Sequence, residues 1–345
     1  MNRKRAFAAL ALAALILLGL AAAAGHRSAQ NQVHSRDIFA MDTIMSLTAC
    51  GPHGGAAVDA AAAEILRLDA LLSTGTASSE VSQINANGGG PVSEDTAALV
   101  RTALDVCAST DGAFDFTIYP LMRLWGFTTG EYHVPTAAEL ERVLPFVDAS
   151  LVRFDGSTLT LSGGQQIDFG GVAKGYTSAR IMEIFREYGV TSGMVSLGGN
   201  IQVLGKKPDG SPWRIGVQDP SASQGTPLAV VEVEDRAVVT SGGYERYFEQ
   251  DGRTYIHILD PRTGYPAEPG LLSVTVISED GTLADALSTA LYVMGLEGAV
   301  SYWQESGGTF DMALLTTEGE IFVTAGISGS FSSSVPVSVL ERSTS

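Results

Sequence analysis

The chain has little cysteine and little positive charge, and it shows no internal repeat. Two cysteines, Cys50 and Cys107, occur in 345 residues, too few for a disulfide scaffold even in an oxidising compartment. They could still pair in an exported protein, although Cys107 falls on the apolar side of an expected helix, which suits a buried free thiol. Lysine and arginine number 21 against 38 aspartates and glutamates, giving a formal net charge of −17. That balance excludes the basic surface a nucleic-acid partner requires and adsorption of the folded body to anionic lipid. An anionic ligand must therefore meet local cations, backbone N–H groups or a metal.

What is present is an ample apolar fraction, 45% of residues, on a length that suits one large domain or two medium ones. Arg3-Lys4-Arg5 precedes an apolar run from Ala6 to Ala24, and Ala22-Ala-Ala24-Gly25 offers small-residue cleavage positions. This is the layout of a secretory signal; the run is also just long enough for a retained membrane anchor. Both readings place the rest outside the cytoplasm, as a membrane-associated, periplasmic or secreted protein. No cysteine follows the run, so a lipoprotein anchor is not indicated. The expected organisation is signal or anchor over 1–24, polar linker over 25–38, one domain over 39–330 and a frayed Ser-rich tail over 331–345.

Within that domain, Phe39–Thr48 reads as a strand and Ala56–Leu72 as a helix, followed by a polar loop from Ser73 to Pro91. Ser93 is a good N-cap for a helix bearing Leu99, Val100, Ala103, Leu104 and Cys107. Thr136-Ala-Ala-Glu139 is a capping-box pattern. Asp155-Gly156 between two short apolar runs predicts a hairpin. A helix is expected up to about Tyr188, with Gly189 at its C′ position. Strands are expected at Met194–Leu197, Trp213–Val217, Leu228–Val233, Thr254–Leu259 and Leu272–Ile277. A helix from Leu283 to Met294 should end at Gly295, before a last hairpin around Glu318-Gly319. Helices and strands mix without regular βαβ alternation, which favours an α+β fold.

Five segments offer chemistry. Asp285 and Thr289, four apart on a helix, share one face; both are hard oxygen donors suited to Mg²⁺, though a helix carboxylate and a back-bonded threonine explain them as well. Asp168-Phe-Gly170-Gly171-Val-Ala-Lys174-Gly175 runs from strand into helix, where glycines admit a ligand and the helix start attracts anions. It is neither a Walker A loop nor a dinucleotide fingerprint, and a tight connection with a solvent lysine is the plainer alternative. Gly198-Gly199-Asn200 and Ser241-Gly242-Gly243 are further glycine pairs after strands, each readable as a simple turn. His257 is expected mid-strand, sharing a face with Tyr255 and Leu259. Placed before the turn Asp260-Pro-Arg262-Thr-Gly264, it is a candidate for acid–base work.

In this order the segments resemble the ApbE family of FAD:protein FMN transferases. The resemblance is carried by Met41-Asp-Thr-Ile-Met-Ser46, Leu72-Ser-Thr74 with Ser82 and Asn85, Gly112-Ala-Phe-Asp115-Phe-Thr117, Leu124-Trp-Gly-Phe127, Asp168 to Tyr176, Gly198-Gly-Asn200, His257 to Gly264, and Asp285 with Thr289. It implies a mixed fold with a largely antiparallel sheet. It also implies a reaction in which FAD binds with Mg²⁺, a Thr or Ser hydroxyl of an acceptor flavoprotein attacks the FMN-side phosphate, and AMP leaves. By the resemblance, Asp285, Thr289 and the Gly171 carbonyl hold Mg²⁺. Met41, Ala113, Phe114, Asp115, Thr117, Asp168, Lys174, Leu259 and Arg262 lie at FAD, and Gly198, Gly199, Asn200, Gly242 and Gly243 approach it. His257 is the base or orienter for the hydroxyl. The acceptor implied is a flavin-carrying protein, such as a subunit of a membrane redox complex. One departure is Gly75, where relatives often carry an aromatic after Ser-Thr; that wall is either lost or supplied by Tyr119 or Tyr244. Two other readings use the same residues: an FAD pyrophosphatase releasing FMN and AMP, and a non-catalytic flavin-binding protein.

Overall fold

Alternation of side chains across the first strands sets the frame. In β2 (Thr43–Cys50), Met45, Leu47 and Ala49 are buried while Ile44 faces solvent, the period-two pattern of a half-covered sheet. The computed structural model describes residues 31–220, 222 and 225–342. The signal or anchor read at 1–24 lies outside the described residues.

β1 (Val33–Ala40) pairs antiparallel with β2 along its whole length. The linker expected over 25–38 therefore gives way to sheet from Val33. Its polar composition belongs to an edge strand: Ser35, Arg36 and Asp37 are exposed, and charged residues discourage further pairing at such an edge. β6 (Gly193–Leu197), β7 (Asn200–Leu204), β10 (Ala237–Gly242), β13 (Leu271–Ser278), β14 (Asp311–Thr316), β15 (Ile321–Thr324) and β17 (Val337–Leu340) complete a nine-stranded sheet in the order β1-β2-β6-β7-β10-β13-β14-β15-β17. Every pairing in it is antiparallel except β15 with β17. The frayed tail expected from residue 331 is likewise overturned up to Leu340. Val337 and Val339 extend the sheet edge, and Phe331–Ser333 pairs with Pro227–Val233.

Seven α-helices occur among the described residues. α1 (Gly54–Leu72) and α6 (Ala173–Glu187) cover the β1–β2–β6 end, burying Ile65, Ile181, Met182 and Phe185 with Met45, Leu47 and Val195. α7 (Gly281–Glu305) crosses β10, β13 and β14 through Leu287, Ala290 and Leu291. Asp280 caps it by accepting from Thr282 N at 2.9 Å and Leu283 N at 3.1 Å. The chain does not stop at Gly295, as expected, but kinks there at φ 72° and resumes to Glu305. Only glycine readily takes that angle, and Pro269 packs against it. The opposite face of the sheet is covered by a three-stranded sheet containing Trp213–Gln218 and Pro227–Val233.

α2 (Glu80–Asn87) lies inside the loop expected from Ser73 to Pro91, capped by Ser79 and anchored by buried Val81 and Ile84. α3 (Glu94–Ser109), α4 (Tyr119–Leu124) and α5 (Ala137–Val143) complete the set, and α5 carries the expected capping box between Thr136 and Glu139. Cys50 and Cys107 are free and buried, and burial pushes the Cys107 thiol up to about 12. Ser93 accepts from Thr96 N at 3.3 Å and donates to Glu80 Oε1 at 3.0 Å, joining α2 to α3. Ser93→Ala should therefore cost about 1 kcal/mol, read as a fall in Tm of roughly 2 °C by calorimetry; an unchanged Tm would show that this cap adds no stability.

Candidate functional site

α6 and α7 meet at their N-terminal ends, and the site is built there. Asp285, on the second turn of α7, accepts from Gly175 N at 2.8 Å. Thr289 follows one turn later on the same face. Its Oγ1 lies 3.4 Å from Ser241 Oγ at the end of β10, and a Cβ placed on Gly171 would stand 3.6 Å from it. The three residues expected to hold a metal are thus brought together from two helix starts. Asp285 is only 5% exposed. Burial pushes its pKa up, against the pull of Lys174, Gly175 N–H and Asn200. Asn200 is 1% exposed, and neither its amide oxygen nor its nitrogen reaches hydrogen-bonding geometry with another group. Its amide still lies close enough to Asp285 to favour the carboxylate.

Lys174, in the first turn of α6, is the electrostatic centre. Its charge acts on Asp285, Asp168, Glu245 and His257 together. Asp168 accepts from Gly170 N at 2.6 Å, and its pKa is raised by burial while Gly170 N–H, Arg246 and Lys174 oppose the rise. The strand expected ahead of it is absent, Gln166 making only an isolated bridge with Ile118; the segment is fixed instead by Asn85 on α2. The Asn85 amide donates to Ile167 O at 2.9 Å and accepts from Ile167 N at 2.7 Å. Ser82 donates to Ser73 O and Thr74 O at 3.1 Å each. The Ser82–Asn85 spacing is therefore a pair of staples that hold two loops. Tyr119 donates to Thr74 O at 3.3 Å, so an aromatic ring does stand beside the Thr74-Gly75 loop.

Gly198 and Gly199 form the two-residue turn between β6 and β7, at φ 60° and 88°, the backbone such a hairpin demands. Gly198 sits against Thr43, and Gly199 faces the Glu245 carboxylate, 3.1 Å from where a Cβ would stand. Gly242 ends β10, and Gly243 packs under Ile256 and the Tyr292 hydroxyl. Met41 occupies the β1–β2 turn at φ 47°, a strained angle for a long side chain, and its sulfur lies 4.0 Å from Thr177 Oγ1 of α6.

His257 is not mid-strand as expected. β12 (Arg253–Ile256) ends one residue earlier; His257 N still donates across the hairpin to Arg246 O at 3.0 Å, and Leu259 makes only an isolated bridge with Pro266. The His257 Nδ1 also lies 3.1 Å from Arg246 O. The ring is half-buried. Burial first, then the charges of Arg246 and Lys174, push its pKa down to about 4, against the Arg246 carbonyl. It is therefore neutral near pH 7. A carbonyl can only accept, so Nδ1 carries the proton and Nε2 holds the lone pair.

Other expected residues are tied up by the fold itself. Asp115 Oδ1 accepts from Thr117 N at 2.7 Å and Thr117 Oγ1 at 2.6 Å, and Oδ2 accepts from Ala149 N at 2.9 Å; burial is the main cause raising its pKa. Ala113 and Thr117 are buried with it, while the Phe114 ring reaches Gly171. Arg262 turns back on Asp260, with Nε to Oδ1 at 2.8 Å and Nη2 to Oδ2 at 2.9 Å. Leu259 is buried in an aromatic cluster with Trp125, Phe127 and Phe248. Glu245 and Arg246 were not anticipated, although an adjacent acid and base directly after Gly242-Gly243-Tyr244 was the available signal. No group of three or more His, Cys, Asp or Glu residues suited to a metal occurs among the described residues.

Comparison with known proteins identifies the family and the fold. A family profile described as the ApbE family matches residues 41–314. An FAD:protein FMN transferase of Klebsiella pneumoniae (strain 342) is 37% identical over 239 residues, covering 68% of this chain and 74% of that relative. One from Treponema pallidum (strain Nichols) is 32% identical over 335 residues, covering 90% and 92%. The ApbE protein of Thermotoga maritima superposes with a TM-score of 0.78 at 35% identity, covering 84% of this chain and 96% of that one. The apo flavinyl transferase ApbE of Pseudomonas stutzeri gives 0.79 at 32%, covering 89% and 99%. The fold is accordingly α+β with a largely antiparallel sheet, and the chain belongs to the ApbE family.

Proposed function

We propose that this chain is an Mg²⁺-dependent FAD:protein FMN transferase that links FMN by a phosphoester to a Thr or Ser of an acceptor flavoprotein and releases AMP. The observation that carries the reading is the meeting of Asp285, Thr289 and Gly171 beside Lys174, with a neutral histidine held on the adjoining hairpin. Relatives named as FAD:protein FMN transferases support it. The compartment is extracytoplasmic, and the acceptor is a flavin-carrying protein such as a subunit of a membrane redox complex.

The donors fit the metal. One carboxylate, one hydroxyl and a backbone carbonyl are hard ligands that leave room for water and phosphate oxygens, the preference of Mg²⁺. The unpartnered Asn200 amide beside a buried carboxylate also suits a site completed by a further polar group. Asp285, Thr289 and the Gly171 carbonyl would hold the ion. When bound, Mg²⁺ supplies charge neutralisation at the pyrophosphate. Lys174 adds a fixed cation where an acidic protein otherwise repels the substrate. Nε2 of His257 takes the proton of the acceptor hydroxyl as its oxygen bonds to the FMN-side phosphorus. The bond from that phosphorus to the bridging oxygen breaks, AMP leaves with the electron pair, and FMN stays on the acceptor. This is catalysis by positioning and electrostatics.

Two outcomes test the reading. Asp285→Ala, checked for folding by circular dichroism, should cut adduct formation by about 100-fold or more at low Mg²⁺, read by intact mass of a Thr-containing acceptor. Near wild-type transfer at low Mg²⁺ would remove the metal assignment, and release of free FMN without adduct in the wild type would make the chain a pyrophosphatase.

The second outcome concerns pH. His257 is depressed in the folded state from 6.5 to about 4. The unfolded chain therefore binds the proton more readily across that window. The stability this site contributes is complete above about pH 6.5 and is lost as pH falls through about 4. Urea denaturation across that range should show a wild-type decline that is shallower in His257→Gln. Identical slopes would contradict the shifted histidine.

A further inference from the structure

Arg246 and His257 face each other across the open end of a hairpin. β11 (Tyr247–Gln250) pairs with β12 so that Tyr247 stands opposite Ile256, and the next residues outward are Arg246 and His257. Three contacts close a ring around the histidine. The Arg246 carbonyl meets both His257 N–H, at 3.0 Å, and Nδ1, at 3.1 Å. The Arg246 guanidinium donates from Nη2 to Phe127 O at 2.7 Å. The Phe127 ring stands edge-on to the imidazole, with centroids 6.4 Å apart at 68°. The hairpin is tied to the same region by Phe248, which packs on Phe127 at 5.7 Å and stacks on Tyr255 at 5.2 Å.

We propose that Arg246 is a positioning residue for His257: its side chain clamps the hairpin mouth to the Phe127 carbonyl, so that its own carbonyl holds Nδ1–H and leaves Nε2 for the incoming hydroxyl. One arginine thus acts twice on the ring, through its backbone and through its charge. Nothing else on the hairpin does both. The charged groups around His257 are Arg246 on the hairpin, Lys174 on α6 and, within reach of both cations, Asp168 on the segment before α6. Loss of the guanidinium removes one of the two cations that keep the ring neutral. It also frees the Phe127 carbonyl, so that the hairpin mouth can shift and the ring can sample both tautomers. The aromatic stack would still hold the hairpin in place, so folding should survive.

The proposal rests on the reading of His257 as the base, but its first test does not. The chain has five histidines, and long-range ¹H–¹⁵N spectra of the labelled full chain without FAD, assigned with His257→Gln, report the tautomer and midpoint of His257 directly. The wild type should show the Nδ1–H form titrating near 4. Arg246→Met should give a mixed tautomer and a midpoint moved toward 6.5. An unchanged tautomer and midpoint would overturn the proposal. Where Arg246→Met does not fold, Arg246→Gln, which keeps a donor but not the charge, carries the test: a raised midpoint supports the proposal and an unchanged one overturns it. In transfer assays, Arg246→Met should lower kcat by about tenfold, short of the loss on removing a general base, which is about 100-fold or more, with little change in KM for FAD. A raised KM at unchanged kcat would make Arg246 a substrate-binding residue and overturn the proposal. Full transfer by His257→Gln would remove the base assignment while leaving the spectroscopic result to stand or fall alone.

Discussion

The contact between Gly175 and α7 governs the arrangement of the site. A Cβ at Gly175 would lie 2.2 Å from Gly281 O and 2.6 Å from Asp285 Cβ, so no side chain can stand between the two helix starts. Only with that bare approach can Gly175 N–H donate to Asp285. The same contact carries Lys174 and Gly171 to the face of α7 that holds Asp285 and Thr289. It also aligns two partial positive helix ends on one region. On the α6 side, Ser178 donates to Gln202 Oε1 at 2.7 Å, tying the helix to β7, where Asn200 enters the site. A buried carboxylate without a complete set of partners is unfavourable. Here it persists because Lys174, Gly175 N–H and Asn200 each offset part of the burial.

His257 is anchored differently. Asp285 and Thr289 ride on a helix buried in the main core, whereas His257 belongs to a short hairpin held by aromatic packing with Trp125, Phe127, Phe248 and Tyr255. Trp125 Nε1 donates to Gly264 O at 2.8 Å, which fixes the Asp260–Gly264 turn that follows the histidine. The site thus lies at a seam between two cores. Asp285 and Thr289 inherit the rigidity of helix packing. The histidine depends on a smaller cluster and on the Arg246 carbonyl, so its orientation is the more easily disturbed of the two.

Legibility in the sequence followed how local each signal was. Ser93 and Thr136 bond to backbone three residues away, so their caps could be read directly, as could the tight turn at Asp155-Gly156. α2 was hidden because only Val81 and Ile84 of its residues are buried, too few for a visible stripe. β10 was missed because its partners β7 and β13 lie far along the chain, and β17 was misread because it forms only by adding to β15; β7 was missed although it pairs locally with β6 across the Gly198-Gly199 turn. The residues expected to hold a metal were legible as residue types, since Asp285 and Thr289 share a helix face by spacing alone. Their approach to Gly171 depends on the Gly175 contact more than 100 residues away, which no periodicity encodes. The family motifs at Ser82 and Asn85 were visible as letters, but their work on the backbone of residues 73, 74 and 167 was not. Arg262 shows the reverse case: a cation at a turn looks free, yet its Nε and Nη2 are bonded to its own Asp260.

Charge explains why a protein of net charge −17 can host this chemistry. The cations that act on the site, Lys174 and Arg246, stand among Asp168, Glu245 and Asp285. The local field is therefore nearly balanced while the rest of the surface is acidic. Burial, with those two cations, keeps His257 neutral and makes it a weak base in the free protein. On the proposed function, the pyrophosphate of FAD brings negative charge next to Lys174 and the ring. A neighbouring anion raises a histidine pKa, so substrate binding would strengthen the base at the moment it is needed. Before FAD arrives, the same cations hold proton affinity low, and a water molecule near Nε2 is poorly activated. On that reading, the field that admits an anionic substrate to an acidic protein also couples the strength of the base to the presence of that substrate.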